Sequence, residues 1–280
     1  RKHDNTLEIY ILNGVYSAQS AALMARHNFV PVLHDLHSLM VWSSYAQSQS
    51  KPLPCLLQIE TGMNRLGLSL KDILGFSWQE LDIKGMLTHM ACGYQKNHPY
   101  NAYQIQNFQP WKDRWPQWPY SLSGSSFLDP GMPKGKSVRV GRALYGIHKP
   151  QGWNLRPVAQ FEASVITVKD VCEQEYIGYN QEFQASKPMR IAIIAAGYAD
   201  GYPRHINQAY VTANNNRYDI VGSVSMDYIA VHCHDNVPSL RVGERVTLFG
   251  DDPHLENLVE IPSEVLTHVG SAPRVQKVWQ

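Results

Sequence analysis

At 280 residues, with 44% hydrophobic and 18% charged positions, the chain has the composition of a globular protein of one or two domains. Lys+Arg at 25 nearly cancels Asp+Glu at 24, and no run of like charge stands out, which excludes the basic footprint of a nucleic-acid binder. No apolar run approaches the roughly 20 residues of a membrane helix, so no membrane partner is expected. Cys55, Cys92, Cys172 and Cys233 are far apart with no paired spacing, which suits reduced thiols in a cytoplasmic protein better than a disulfide framework. The first residue is Arg1 and no leader-like segment follows it, so a truncated chain is expected.

From residue 7 to about 144, short apolar runs alternate with longer amphipathic stretches, the signature of repeated βα units on a parallel sheet. Six strands are predicted, over residues 7–12, 30–34, 55–59, 84–89, 120–123 and 138–144. Between the first two, residues 18–27 place Ala22, Leu23 and Ala25 at helical spacing behind a plausible N-cap, Ser17. Beyond Trp153 the pattern changes. Residues 161–168 alternate, 189–196 are β-rich, and Asn214-Asn215-Asn216 marks a turn between strand-like runs, which predicts a mainly antiparallel β half. The Gly, Asn and Pro of residues 152–157 set the boundary, giving domains 1–156 and 157–280. A closed parallel barrel needs eight strands, so six leave two units unaccounted for, although an open sheet accommodates six.

The run Thr61-Gly62-Met63-Asn64-Arg65-Leu66-Gly67 puts an arginine just past a strand's C-terminal end, where ligand groups converge in a parallel barrel. Arg65 fits equally well as a loop arginine facing a surface carboxylate. His89, in Thr88-His89-Met90, reads as a core group or as a catalyst, and no companion of Cys92 at ligand spacing supports a metal. The small residues of Ser121-Leu122-Ser123-Gly124-Ser125-Ser126 suit an approach to phosphate oxygens. Arg139, within the last predicted strand, points into a region that ought to be apolar and so needs a partner or a task. Two further runs stand in the β half. They are Gly197-Tyr198-Ala199-Asp200-Gly201-Tyr202-Pro203-Arg204 and Val221-Gly222-Ser223-Val224-Ser225-Met226-Asp227.

In this order, and together with Val138-Arg139-Val140-Gly141-Arg142-Ala143-Leu144-Tyr145-Gly146, these runs closely resemble the alanine racemase family over nearly the whole chain. The resemblance implies a (β/α)8 barrel carrying pyridoxal phosphate, here without about its first two βα units, followed by a C-terminal β domain. It implies racemisation of a small amino acid, most simply L- and D-alanine for the cell wall, by two opposed bases. One base is placed at Tyr179, with His89 as its hydrogen-bond partner and Arg139 behind the histidine, facing the pyridine nitrogen. The resemblance sets Arg65 and the Met226 amide at the substrate carboxylate, Tyr198 at the entrance, and Ser125 with the amides of Gly141 and Arg142 at the phosphate. It also implies a homodimer in which Tyr179 and Met226 serve the partner's site.

The sequence departs from the family pattern at several points. The second base is a cofactor lysine in a run like Val-Lys-Ala-Asn-Ala-Tyr-Gly-His-Gly, and nothing like it occurs here, so the chain as given is expected not to hold the cofactor covalently. Gln58 replaces a lysine that steadies the arginine, and its neutral amide is still able to hydrogen-bond Arg65. Gly124 replaces an asparagine, Asn180 replaces a glycine after Tyr179, and residues 269–274 lack a tyrosine that many members carry. A broader racemase acting on serine or lysine, and a non-catalytic remnant of the fold, are the alternatives.

Overall fold

The computed structural model describes residues 6–133, 135–148, 150–206 and 209–278. They form two compact units, the first ending at Gly141 and the second opening at Arg142.

The first unit runs β1 (Ile9–Ile11), α1 (Ala18–Arg26), β2 (Phe29–Leu33), α2 (Leu36–Ser48), β3 (Leu53–Gln58), β4 (Leu81–Leu87), α3 (Pro99–Arg114) and β5 (Tyr120–Ser121). The five strands lie in sequence order and every pair is parallel, as repeated βα units require. The first two crossover helices begin on reciprocal caps. The Ser17 hydroxyl accepts from Ser20 N at 3.2 Å, and the Asp35 carboxylate accepts from Ser38 N at 2.6 Å. Each satisfies a helix-end amide that would otherwise lack a partner. Leu33, Leu57, Met86, Phe108 and Trp111 fill the core between sheet and helices.

The strand predicted over residues 138–144 does not form. Arg139 makes a single parallel bridge to Gly124, and Arg142–Tyr145 is a 3-10 turn. Local alternation suggested a strand, but the Gly141 amide turns to the Ser125 hydroxyl at 3.1 Å instead of a ladder carbonyl, and the Arg139 side chain is drawn to the ends of β4 and β5.

The second unit contains β6 (Phe161–Val171), β7 (Tyr176–Ile177), β8 (Phe183–Gln184), β9 (Met189–Ile194), β10 (Tyr210–Ala213), β11 (Asn216–Asp219), β12 (Ile229–Cys233), β13 (Arg245–Phe249), α4 (Leu255–Leu258) and α5 (Pro262–Ser271). Six strands form one antiparallel sheet in the order β11-β10-β13-β6-β9-β12. The Ile220–Val231 bridge links the end of β11 back to β12, so the sheet curls upon itself. Strand β6 makes this possible by bending: it pairs with β13 through its first residues and with β9 beyond an irregularity between Val165 and Thr167. The hairpin β10–β11 turns on Asn214 and Asn215 at φ 50 and 63, a left-handed pair that asparagine tolerates and a two-residue hairpin demands. The small sheet β7–β8 carries the Tyr179 turn between its strands. Among the described residues no helix is long and apolar enough to cross a membrane.

Candidate active site

In the first unit, the groups singled out by sequence gather at the C-terminal ends of β3, β4 and β5, the end where parallel βα sheets bind ligands. His89 lies just past β4. Arg139 spans two strand ends, because one nitrogen, Nη1, donates to Ser121 O at 3.1 Å and Ser121 Oγ at 2.7 Å, while Nη2 donates to Thr88 O and meets His89 Nδ1 at 3.5 Å. A guanidinium has no acceptor, so Nδ1 is the acceptor of this pair and the imidazole proton belongs on Nε2. Burial first, then the positive charges of Arg139 and Arg65, push the His89 imidazole down to about 4, which leaves it neutral near pH 7. Burial also lowers the Arg139 guanidinium to about 10, where it still carries its charge.

Arg65 is exposed in the loop after β3, close enough for its charge to act on His89. Gln58, able by its chemistry to bond Arg65, is buried and its amide donates to Leu66 O at 2.9 Å instead, holding the backbone next to the arginine. The loop is also tied by Gly67 N to His34 O at 3.1 Å and by Leu68 N to Gln58 O at 2.8 Å.

Ser125 is 2% exposed in a 3-10 turn, and its hydroxyl meets the Gly141 amide. A Cβ at Gly141 would touch nothing within 4 Å, so there is space beside that amide for an anion. At Gly124 a Cβ would come to 2.8 Å from Arg139 O, which accounts for the missing asparagine: the backbone passes too close for a side chain. Arg142 opens the second unit, where its carbonyl accepts from Ile147 N at 3.2 Å.

Tyr179, Tyr198 and Met226 all belong to the second unit, and all three are exposed, at 66%, 43% and 53%. Tyr179 begins a tight turn behind Gly178 at φ 81, and Asn180 follows at φ 59, a conformation in which asparagine substitutes for glycine at least cost. A Cβ on Gly178 would lie 3.6 Å from Ser223 N, so the turn leans on the segment that leads to Met226. The Tyr198 and Met226 loops interlock: Tyr198 N donates to Ser225 O at 3.1 Å and Ala199 N to Met226 O at 3.0 Å. Gly197 is required by that contact, since a Cβ there would approach Met226 O to 2.3 Å. Asp200 accepts from Gly197 N at 3.0 Å, and Arg274 joins Asp200, at 3.1 Å, to Asp227. Sequence reading missed this brace, as it missed Gln104 and the bridge between Thr61 and Thr88 beneath the first-unit site.

A parallel βα sheet that gathers a neutral histidine, a half-buried arginine and a serine–glycine pair, carried in one chain with a β domain presenting exposed tyrosines, defines a small-molecule enzyme of the βα-barrel class. Residues 1–149 match the family description "Alanine racemase, N-terminal domain" and residues 158–279 match "Alanine racemase, C-terminal domain". The alanine racemase of Brucella abortus (strain 2308) is 35% identical over 96% of this chain and 74% of its own length; that of Rickettsia bellii (strain RML369-C) is 30% identical over 95% and 68%. Among solved structures, alanine racemase from Bartonella henselae with covalently bound pyridoxal phosphate aligns with a TM-score of 0.85 at 29% identity, over 95% of this chain and 77% of that one. The chain belongs to the alanine racemase family, a family of isomerases.

Proposed function

We propose that this chain serves the interconversion of L- and D-alanine with pyridoxal phosphate, as a cytoplasmic homodimer that provides D-alanine for peptidoglycan. The observation that carries the reading is the His89–Arg139 pair, a neutral imidazole set against a half-buried cation at the ligand end of the sheet, in a chain of this family. The domain division is kept at 156/157, within the gap between the two matched regions.

The residues present fit the cofactor. Gly141 N–H donates to the Ser125 hydroxyl beside open space; a phosphate there would take that amide hydrogen from Ser125, and the Ser125 hydroxyl and the Arg142 amide would complete its hold. Arg139 would face the pyridine nitrogen, and a group that keeps its proton near neutral pH leaves that nitrogen unprotonated. When bound, the cofactor supplies the electron sink that spreads the negative charge left at the substrate α-carbon. The chain's own residues then govern the proton. Nδ1 of His89 is turned to Arg139, so Nε2–H is left to donate to the phenol oxygen of Tyr179, supplied by the partner subunit's β domain. Such a donor favours the phenolate, and a phenol with an ordinary pKa of about 10 needs that help to act as a base near neutrality. Arg65 and the Met226 amide would orient the substrate carboxylate, with Tyr198 at the entrance. The opposite face requires a second base, which family resemblance assigns to the cofactor lysine.

Two tests follow from the assignment. Expressed in a D-alanine auxotroph, the complete reading frame that contains this sequence, cofactor lysine included, restores growth without D-alanine, and its product forms D-alanine from L-alanine faster than it racemises serine or lysine; failure of both growth and D-alanine formation overturns the function. Separately, the 280-residue chain titrated with pyridoxal phosphate binds it without a borohydride-stable label, because no lysine here has the required context. Ser125→Ala weakens that binding about tenfold, the loss of one charge-assisted hydrogen bond. An unchanged Kd removes Ser125 from the phosphate site.

A further inference from the structure

Helix α3 presents three polar side chains at positions i, i+4 and i+7, one face of the helix, to the loops that follow β3 and β4. Tyr100 Oη donates to Gly62 O at 2.8 Å and Asn107 Nδ2 to Thr61 O at 2.9 Å, so both hold the loop that carries Arg65. Gln104 reaches further. Its Nε2 donates to Thr61 Oγ1 at 3.1 Å and to His89 O at 3.0 Å, and its Oε1 accepts from Ala91 N at 2.8 Å. The Thr61 hydroxyl in turn meets the Thr88 hydroxyl at 2.7 Å, and Thr88 O is a partner of Arg139.

Gln104 is 0% exposed. A carboxamide buried to that degree is costly unless every bond is made, and packing alone at this position, with Phe108 and Trp111 on the same helix, would be served by an apolar side chain. The geometry uses what a carboxamide offers and other side chains of that length lack: two donors and an acceptor on one rigid plane. Glutamate has no donor to give His89 O, and methionine has neither function. The bonds join two loops 28 residues apart in sequence through a helix that belongs to neither.

We infer that Gln104 is a positioning residue that locks the His89 segment to the Arg65 loop and thereby fixes the imidazole against Arg139. The inference rests on the proposed roles of His89 and Arg65, and its geometry is independent of turnover. Fixing the backbone on both sides of the His89 ring, at His89 O and at Ala91 N, sets where the ring lies relative to the two cations around it, Arg139 and Arg65.

The test is made by NMR on the full chain with Gln104→Met, which keeps the volume and removes the bonds. The Ala91 amide loses its acceptor and exchanges at least about tenfold faster. The His89 imidazole, less firmly held beside Arg139 and Arg65, titrates about one pH unit higher than in the parent. Trp111→Phe, a core change in the same helix, lowers stability and leaves the His89 titration in place, which separates positioning from general loosening. Should Gln104→Met fail to fold, Thr61→Val breaks the same bridge from the other side and is expected to move His89 in the same direction. A folded variant with His89 titrating as in the parent overturns the inference. A parent without racemase activity bears on the proposed function and leaves the His89 and Ala91 readouts decisive.

Discussion

Arg139→Met lowers the stability of the chain by about 3 kcal/mol and raises the His89 pKa part of the way from about 4 toward the ordinary histidine value. The stability loss arises at Thr88 O, Ser121 O and Ser121 Oγ, the acceptors that the guanidinium serves at the ends of two adjacent strands. Thr88 O and Ser121 Oγ then face an apolar side chain. Ser121 O keeps only its ladder bond from Thr88 N at 3.1 Å. Relief of the cost of burying a cation offsets part of this, which is why the expected loss stays near the size of one or two unmet bonds. Arg139→Lys recovers little, because one ammonium cannot reach both strand ends as a planar fork does. The histidine shift is partial because burial, the largest cause of the depression, persists when Arg139 is gone and Arg65 remains.

The same shift fixes a pH dependence. With the His89 pKa lower in the folded than in the unfolded chain, acidification protonates the unfolded chain first, so stability falls as pH drops from about 6.5 to about 4 and is indifferent to this group below that. In Arg139→Met the window narrows from its acid side. Urea unfolding at pH 7 and pH 5, with the His89 ring followed by NMR, checks both statements. A His89 that still titrates near 4 in the variant shows that burial and Arg65 suffice to set its pKa, and Arg139 then has no electrostatic part in holding the imidazole neutral.

Local chemistry in the sequence was enough to place the helix capped by Ser17, the Asn214–Asn215 hairpin and the long alternating strand β6, because caps, left-handed turns and period-two patterns act over a few residues. Strand β4 extends three residues ahead of its predicted start, since Asp82 and Lys84 pair on its exposed face at 2.7 Å and continue the alternation. Residues 138–144 misled for the opposite reason. Val138 and Val140 flank Arg139 as in a strand, yet the backbone there is governed by Ser125 and by two carbonyls 18 and 51 residues away in sequence. The proximity of His89 to Arg139 was accessible only through the family's motif order, because nothing local to either residue reports a partner 50 positions distant. Gln104 leaves a trace in the sequence: a polar residue in step with Tyr100, Asn107, Phe108 and Trp111 falls on the side of α3 that turns inward, where a glutamine needs a reason. The brace of Arg274 with Asp200 and Asp227 left none, since the burial of Asp200 and its pairing with an arginine 74 residues on are matters of tertiary structure.

Tyr179→Phe lowers racemisation by about a thousandfold in the turnover-competent enzyme, within the range set by removal of a general base. The enantiomers of alanine are equal in free energy, so kcat/KM must fall by the same factor in both directions, and comparing the two directions cannot identify which face has lost its base. Hydrogen exchange at the α-carbon can. In deuterated water the enantiomer whose α-hydrogen faces the remaining base still exchanges it and returns unchanged in configuration, whereas the enantiomer whose hydrogen faces position 179 neither exchanges nor racemises. The phenyl ring keeps the shape of the turn behind Gly178, and Tyr179 is exposed in its own unit, so the fold is expected to stand. His89→Asn provides the companion measurement: with no Nε2–H donor for the phenol, exchange on the Tyr179 face survives but moves to higher pH, while exchange on the other face keeps its pH profile. Exchange of both enantiomers at equal rates in Tyr179→Phe would place the base elsewhere, and the neutral imidazole against Arg139 would then need another partner for its proton.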